Sequence, residues 1–209
     1  MSRPIDYYFT LLSPWTYLGH GAFIELAEKH ALTVRYRPTP LRSVFDETGG
    51  LPLPKRHPVR QRYRLLELQR WRARRGLPLT LFPKFFPYDV SLADRIVLAI
   101  VARGKDPAGF IGEVLADVWA REQDMSRPEL VLAATERAGL DATGLIEAAG
   151  SEAIGQAYQA AIAEAVEAGV FGAPSYVLDG EIFWGQDRLD LLADALASGR
   201  AAYRSDATA

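Results

Sequence analysis

Cysteine is missing from all 209 residues of this chain. Its absence excludes disulfides, thiolate metal sites and any redox step carried on the protein's own sulfur. Histidine is scarce too: His20, His30 and His57 lack the spacing at which imidazoles share a metal. There is no glycine loop of the kind that cradles phosphate, and Ser13 lacks the flanking glycines of a hydrolase nucleophile elbow. No apolar run approaches the roughly 20 residues that a membrane-spanning helix needs. Charge of one sign is also missing, because the formal net charge is -2 and the pI is near 6.0, so no overall field draws the chain to nucleic acid or membrane. Met1-Ser2-Arg3-Pro4 carries no cationic and apolar leader, and a cytoplasmic protein is the expectation.

What is present is a large apolar fraction, 49% hydrophobic against 24% charged residues, enough for one globular domain with room for an insertion. Ile5 to Leu12 reads as a buried strand. Ser13 suits an N-cap and Pro14 the first helical position, opening a helix to about His30. Thr33 to Arg37 alternates as a strand until Pro38 and Pro40 stop it. These elements make a right-handed β-α-β unit. From Leu41 to Gly169 the pattern is mostly helical, with helices expected near 59–75, 91–103, 107–122, 127–138, 142–149 and 151–168. The proline-rich run Phe82 to Pro87 should be an extended, packed loop. After Gly172-Ala173-Pro174, Ser175 to Leu178 and Glu181 to Trp184 flank Asp179-Gly180 as a hairpin, and a helix from Arg188 to Ala197 closes the chain. The order predicts an α/β thioredoxin-like fold with a large all-helical insertion. Residues 1–40 and 169–200 would form a discontinuous thioredoxin-like domain, 41–168 the insertion and 201–209 a flexible tail.

Four constellations could carry chemistry. Ser13-Pro14-Trp15-Thr16 lies at the strand-to-helix junction that holds Cys-X-X-Cys in thioredoxin-like folds. Ser13 is either a plain cap or a hydroxyl that, with the helix N-terminus, favours the thiolate of a ligand. Pro174 is a strand-entry proline or a cis-proline; in the second case Ala173 would expose its backbone beside Ser13. In Trp184-Gly185-Gln186-Asp187, Gly185 permits close backbone approach, while Gln186 and Asp187 either cap the last helix or meet the charged ends of a ligand. Lastly, Lys55, Arg56, Arg60, Arg62, Arg64, Arg70, Arg72, Arg74 and Arg75 are opposed in their segment only by Glu67. Most should form a solvated helix face, with one or two available to small-molecule carboxylates. No nucleic-acid-binding module accompanies them.

Tyr8-Phe9 through Ser13-Pro14-Trp15-Thr16-Tyr17, Gln69-Arg70-Trp71 with Gly76-Leu77-Pro78-Leu79, Phe82-Pro83-Lys84, Gly169 to Pro174 and Phe183 to Leu189 together resemble the 2-hydroxychromene-2-carboxylate isomerase family. That family is similar to kappa-class glutathione transferases and has a DsbA-like architecture. The resemblance covers nearly the whole chain. It implies glutathione as cofactor, Ser13 as the residue activating its sulfur, Ala173 and Pro174 clamping the cysteinyl part, and Trp184, Gly185, Gln186 and Asp187 around the γ-glutamyl end. It also implies Lys55, Arg60, Tyr63 and Phe86 as contacts to a small-molecule aromatic substrate, and a homodimer. The implied activity is cis-trans isomerisation of an aromatic acid by reversible thiolate addition; the alternatives are conjugation of a hydrophobic electrophile and ligand binding without chemistry. Thr10 stands where the family usually has an acidic residue, and Phe85 and Phe86 stand where its isomerases offer polar groups to substrate.

Overall fold

The computed structural model describes residues 2–205. Strand β1 (Pro4–Phe9) leads through a turn into α1 (Pro14–Lys29), which returns to β2 (Thr33–Pro38). Next come α2 (Leu41–Thr48), a short 3-10 turn (Leu53–Lys55), α3 (Pro58–Arg75), α4 (Ser91–Ala102), α5 (Ala108–Trp119), α6 (Pro128–Arg137), α7 (Ala142–Ala149) and α8 (Glu152–Glu167). The chain then makes the hairpin β3 (Ser175–Leu178) and β4 (Glu181–Trp184), a second 3-10 turn (Gln186–Arg188) and α9 (Leu189–Ser198). The four strands order as β2-β1-β3-β4, with β1 parallel to β2 and antiparallel to β3. This is the thioredoxin-like arrangement expected from the β-α-β start and the β-β-α finish. No helix among the described residues is long and apolar enough to cross a membrane.

The sheet buries its aromatic residues against α1. Tyr7 stacks on Tyr176 of β3 with centroids 5.4 Å apart, and Phe23 of α1 lies 4.6 Å from the same Tyr176 ring. From there the main apolar core runs without a break into α4, α5 and α6 through residues such as Ile100, Phe110 and Val131. Burial of this kind gives about 25 cal/mol per Å² of apolar surface, and it holds the helical segment to the sheet. His20 supports the same junction with polar bonds. Its Nε2 lies 2.9 Å from the Ala108 carbonyl and its Nδ1 3.3 Å from the Tyr7 hydroxyl, while burial pushes its pKa down and keeps the ring neutral.

Several expected boundaries shift, each for a local reason. The first strand ends at Phe9 instead of Leu12, because Ser13 N–H donates to the Thr10 carbonyl at 3.1 Å and closes a turn. Helix α2, absent from the expected set, runs from Leu41 to a left-handed Gly49 (φ 76°). Its Val44 is buried and the Phe45 ring covers Gly50. The last helix begins one residue later than expected, because Gln186–Arg188 form a 3-10 turn. The proline-rich loop is only partly packed: Phe86 lies 5.0 Å from the Trp119 ring, whereas Phe82 is 73% exposed. In the expected tail, Tyr203 N–H donates to Glu181 at 2.9 Å and Arg200 lies over the Tyr203 ring; residues 206–209 of that tail fall outside the described residues.

One buried acid sits in the helical segment. Asp94 of α4 is fully buried, accepts a 3.0 Å hydrogen bond from Tyr158 of α8, and has no partner for its Oδ1 among the described residues. Burial pushes its pKa up to about 7, so it folds most favourably as the neutral acid. A raised folded-state value means that its contribution is complete below the ordinary aspartate range and is lost as pH rises through 7. Asp94→Asn should therefore match the parent in urea unfolding at pH 4 and exceed it by a few kcal/mol at most at pH 8.

Candidate functional site

The end of β1 and the start of α1 meet the chain entering β3, and a cleft of about 1010 Å³ opens beside them. Ser13 sits at the inner wall with extended backbone (φ -89°, ψ 124°), and its Oγ accepts from the N–H groups of Trp15 and Thr16, each at 3.2 Å. These bonds satisfy donors that a helix start leaves free. The Ser13 hydroxyl proton points to the Ala173 carbonyl at 3.5 Å, a long contact that a better acceptor can replace. At 7% exposure, Ser13 is open only through the cleft. Thr16, the fourth residue of the junction, is fully buried and does not line the cleft.

The Ala173–Pro174 peptide bond is cis. The Pro174 carbonyl accepts a 2.8 Å hydrogen bond from Gly185 N–H, which brings the end of β4 beside Ser13. Gly185 has φ 105° and ψ 146°, backbone space that only glycine adopts readily, and an added Cβ would come within 2.4 Å of Asp187 Oδ1. The Asp187 carboxylate thus folds back over the Gly185 backbone at the cleft edge, where Arg188 Nη1 meets it at 2.7 Å. Trp184 is 52% exposed and stands edge-on to Phe171, centroids 4.7 Å apart, so two aromatic rings form the rim.

Ser13, Ala173, Trp184, Gly185, Gln186 and Asp187 thus surround one cleft, with Pro174 adjoining Ala173, and Arg60 and Tyr63 face them from α3. Two further candidates are elsewhere. Lys55 is exposed and does not line the cleft, and Phe86 lines a separate cavity on the other flank of α3. Gln186 is only 2% exposed, and its side-chain oxygen is held by Arg75 Nη2 at 3.0 Å and Nε at 3.3 Å. It therefore fixes the turn more than it reaches into the cleft.

Arg75 is one residue whose role the sequence did not show, offering it only as a member of the basic run. Its guanidinium stacks 5.3 Å from the centre of Trp71 and ties α3 to a turn 111 residues away. Gly19 is another, because a Cβ there would meet the Gln186 Cβ at 2.4 Å and push the same turn off α1. The expected solvated basic face holds only in part. Arg60, Arg62, Arg70 and Arg74 are exposed, although Arg60 also lines the cleft beside the half-buried Arg56 and Arg64, and Arg72 donates to the Leu79 carbonyl. Burial and the neighbouring Arg56 charge push the Arg64 pKa down to about 10. This wall favours anions.

The family model described as DSBA-like thioredoxin domain matches residues 4–197. A 2-hydroxychromene-2-carboxylate isomerase of Sphingobium xenophagum is 33% identical over 92% of this chain and 97% of its own length. The chain belongs to the 2-hydroxychromene-2-carboxylate isomerase family of DsbA-like thioredoxin-fold proteins. A solved isomerase of that name superposes with a TM-score of 0.76 at 30% identity, covering 93% of this chain and 95% of its own. Glutathione S-transferase kappa 1 of Homo sapiens is 27% identical over 94% of this chain and 92% of its own length. Both kinds of relative are named as enzymes.

Two stability outcomes follow from the geometry. Ser13→Ala should lower unfolding stability in urea by about 1 kcal/mol, the usual loss of a helix N-cap. Gly185→Ala should cost about 1–3 kcal/mol through its positive φ and its clash with Asp187, while an alanine at helical Gly155, where an added Cβ meets nothing within 4 Å, should stay neutral or better in the same assay.

Proposed function

We propose that this protein is a glutathione-dependent isomerase acting on a 2-hydroxychromene-2-carboxylate-like aromatic acid, with Ser13 holding the cofactor's sulfur as the thiolate. The observation that carries the reading is the Ser13 hydroxyl at the opening of α1, set in an arginine-walled cleft of a chain without cysteine. The cleft can take a tripeptide: it is large, has a backbone edge at Ala173, and ends in a carboxylate at Asp187. Bound as thiolate, glutathione supplies reversible addition to an unsaturated ring-opened acid, freeing a formerly double bond to rotate before the sulfur leaves.

The chain's own part is binding and electrostatics. Ser13 would turn its O–H from the Ala173 carbonyl to the sulfur, and the α1 N-terminus adds positive potential at the same point. A free thiol has a pKa of about 8.5, and each unit of lowering corresponds to about 1.4 kcal/mol, within reach of one hydrogen bond and a helix end. Asp187 would exchange Arg188 for the γ-glutamyl amine. Ala173 would pair the cysteinyl backbone, with Trp184 and Gly185 bordering it. Arg60 and Tyr63, across the cleft, would hold the acid group and ring of the second substrate. Conjugation of an electrophile shares this first half and differs only in release of the adduct. Cytoplasmic residence, a homodimeric state and a place in aromatic catabolism belong to the same proposal, and the last two rest on the family resemblance.

Isothermal titration should show micromolar to low-millimolar glutathione binding, weakened several-fold by Asp187→Ala. Ultraviolet titration of the bound thiol should show its pKa about one pH unit higher in Ser13→Ala than in the parent. No binding, or an unmoved thiol pKa in that variant, rules the reading out. Absorbance screening of ring-opened and closed aromatic hydroxy acids, with and without glutathione, separates isomerisation from conjugation.

A further inference from the structure

Helix α3 has a second cavity on its other flank. Its volume is about 440 Å³, within the range of about 300–1,000 Å³ common to small-molecule sites. Leu65, Leu81, Phe82 and Phe86 form apolar walls and Trp119 contributes to the lining. Gln61, Arg62 and Arg64 break that surface with polar groups, and a buried N–H lies behind it. The Trp119 indole N–H is buried and has no acceptor among the described residues. Arg64, half-buried, lines both this cavity and the Ser13 cleft, and no carboxylate or carbonyl among the described residues pairs with it. The charge that acts on it is another cation, Arg56.

A native interior seldom leaves a guanidinium partly desolvated without an anion, or an indole N–H without an acceptor, because each loses its hydration with nothing in exchange. Here the two lie around one apolar hollow with an open mouth at Phe82, which is 73% exposed. The complementary molecule has an acid group at one end and an apolar body that fits between the Phe82 and Phe86 rings.

We propose that this cavity is a second ligand site, for a small organic monoanion with an apolar body, its acid group paired with Arg64 and its body packed among Phe82, Phe86 and the Trp119 ring. It goes beyond the glutathione reading and does not need it, because the two hollows share only Leu53 and Arg64, and Arg64 is their one common charge. Occupied together, they would place an anion on each side of one guanidinium, so each ligand would sense the other through that charge.

The test uses 1-naphthoate as probe, with octanoate as a second carboxylate and 2-naphthalenemethanol as a neutral control. Indole resonances in 15N–1H spectra report location, with Trp119 assigned through Trp119→Phe and Trp15, Trp71 and Trp184 reporting the Ser13 cleft. One carboxylate or both should move the Trp119 N–H signal whether or not glutathione is present, and should bind at least tenfold more tightly than the alcohol. Arg64→Gln should erase that tenfold preference. Leu65→Trp, which fills the hollow, should abolish carboxylate binding while leaving glutathione affinity unchanged. Phe82→Ala, at an exposed position that should not disturb folding, should weaken binding several-fold. Displacement of naphthoate by glutathione, movement of only the cleft tryptophans, equal binding of the alcohol, or intact binding in Leu65→Trp would each overturn the proposal. So would failure of both carboxylates to bind together with self-association lost in Phe82→Ala, which would make the hollow an interface. A protein that binds naphthoate here and ignores glutathione would retain this site and lose the function proposed above.

Discussion

The contact between the first turn of α1 and the chain entering β3 is the constraint from which the site is built. Ser13 holds two amides of its own helix and offers its proton to the Ala173 carbonyl, 160 residues further along the chain. For that meeting to occur, β1 must pair with β3, and β3 must hand its edge on to β4. The aromatic stack of Tyr7, Phe23 and Tyr176 lies beneath the junction and fixes α1 on the sheet. A helix start presenting one hydroxyl to a cleft then becomes a place where negative charge is welcome.

Helix α3 forms the opposite wall, and it works on more than one face. Arg75 reaches from its last turn to the Gln186 turn, with Trp71 beneath the guanidinium. Arg60 and Arg64, four positions apart on α3, run along the cleft, as helical periodicity demands, and Arg56 joins them from the turn before the helix. Glu67 lies on the same side, but its charge is engaged with Arg70. The positive field of the cleft is therefore local, and it exists in a protein whose formal net charge is -2. Global charge excludes partners; it does not describe a wall.

Much of the fold was legible because its local signals agree with the global arrangement. Ser13-Pro14 caps and opens a helix, Pro38 and Pro40 end a strand, and Asp179-Gly180 turns a hairpin. Helix α2 was missed because the paired glycines 49 and 50 read as loop, although Leu41, Val44 and Phe45 have helical spacing. Of the site, the Ser13 junction and the Trp184 to Asp187 turn were legible as motifs, since each is a short stretch whose residues act together. The roles of Arg75, Arg64 and Gly19 were not. An arginine on an amphipathic helix looks the same whether it faces water, a partner turn or a cavity, and Gly19 has meaning only once the Gln186 backbone lies against it.

By itself the sequence determined the class of elements, their order, and that any reactive sulfur must come from outside the chain, because these depend on residue type, short-range periodicity and composition. Tertiary structure alone decided which arginines gather in the cleft, that Gln186 is buried beneath Arg75, that Phe86 lines a different hollow from Ser13, and that Arg64 stands between the two. Those outcomes depend on contacts between segments tens to more than a hundred residues apart, and no local pattern records the angle at which two packed elements meet.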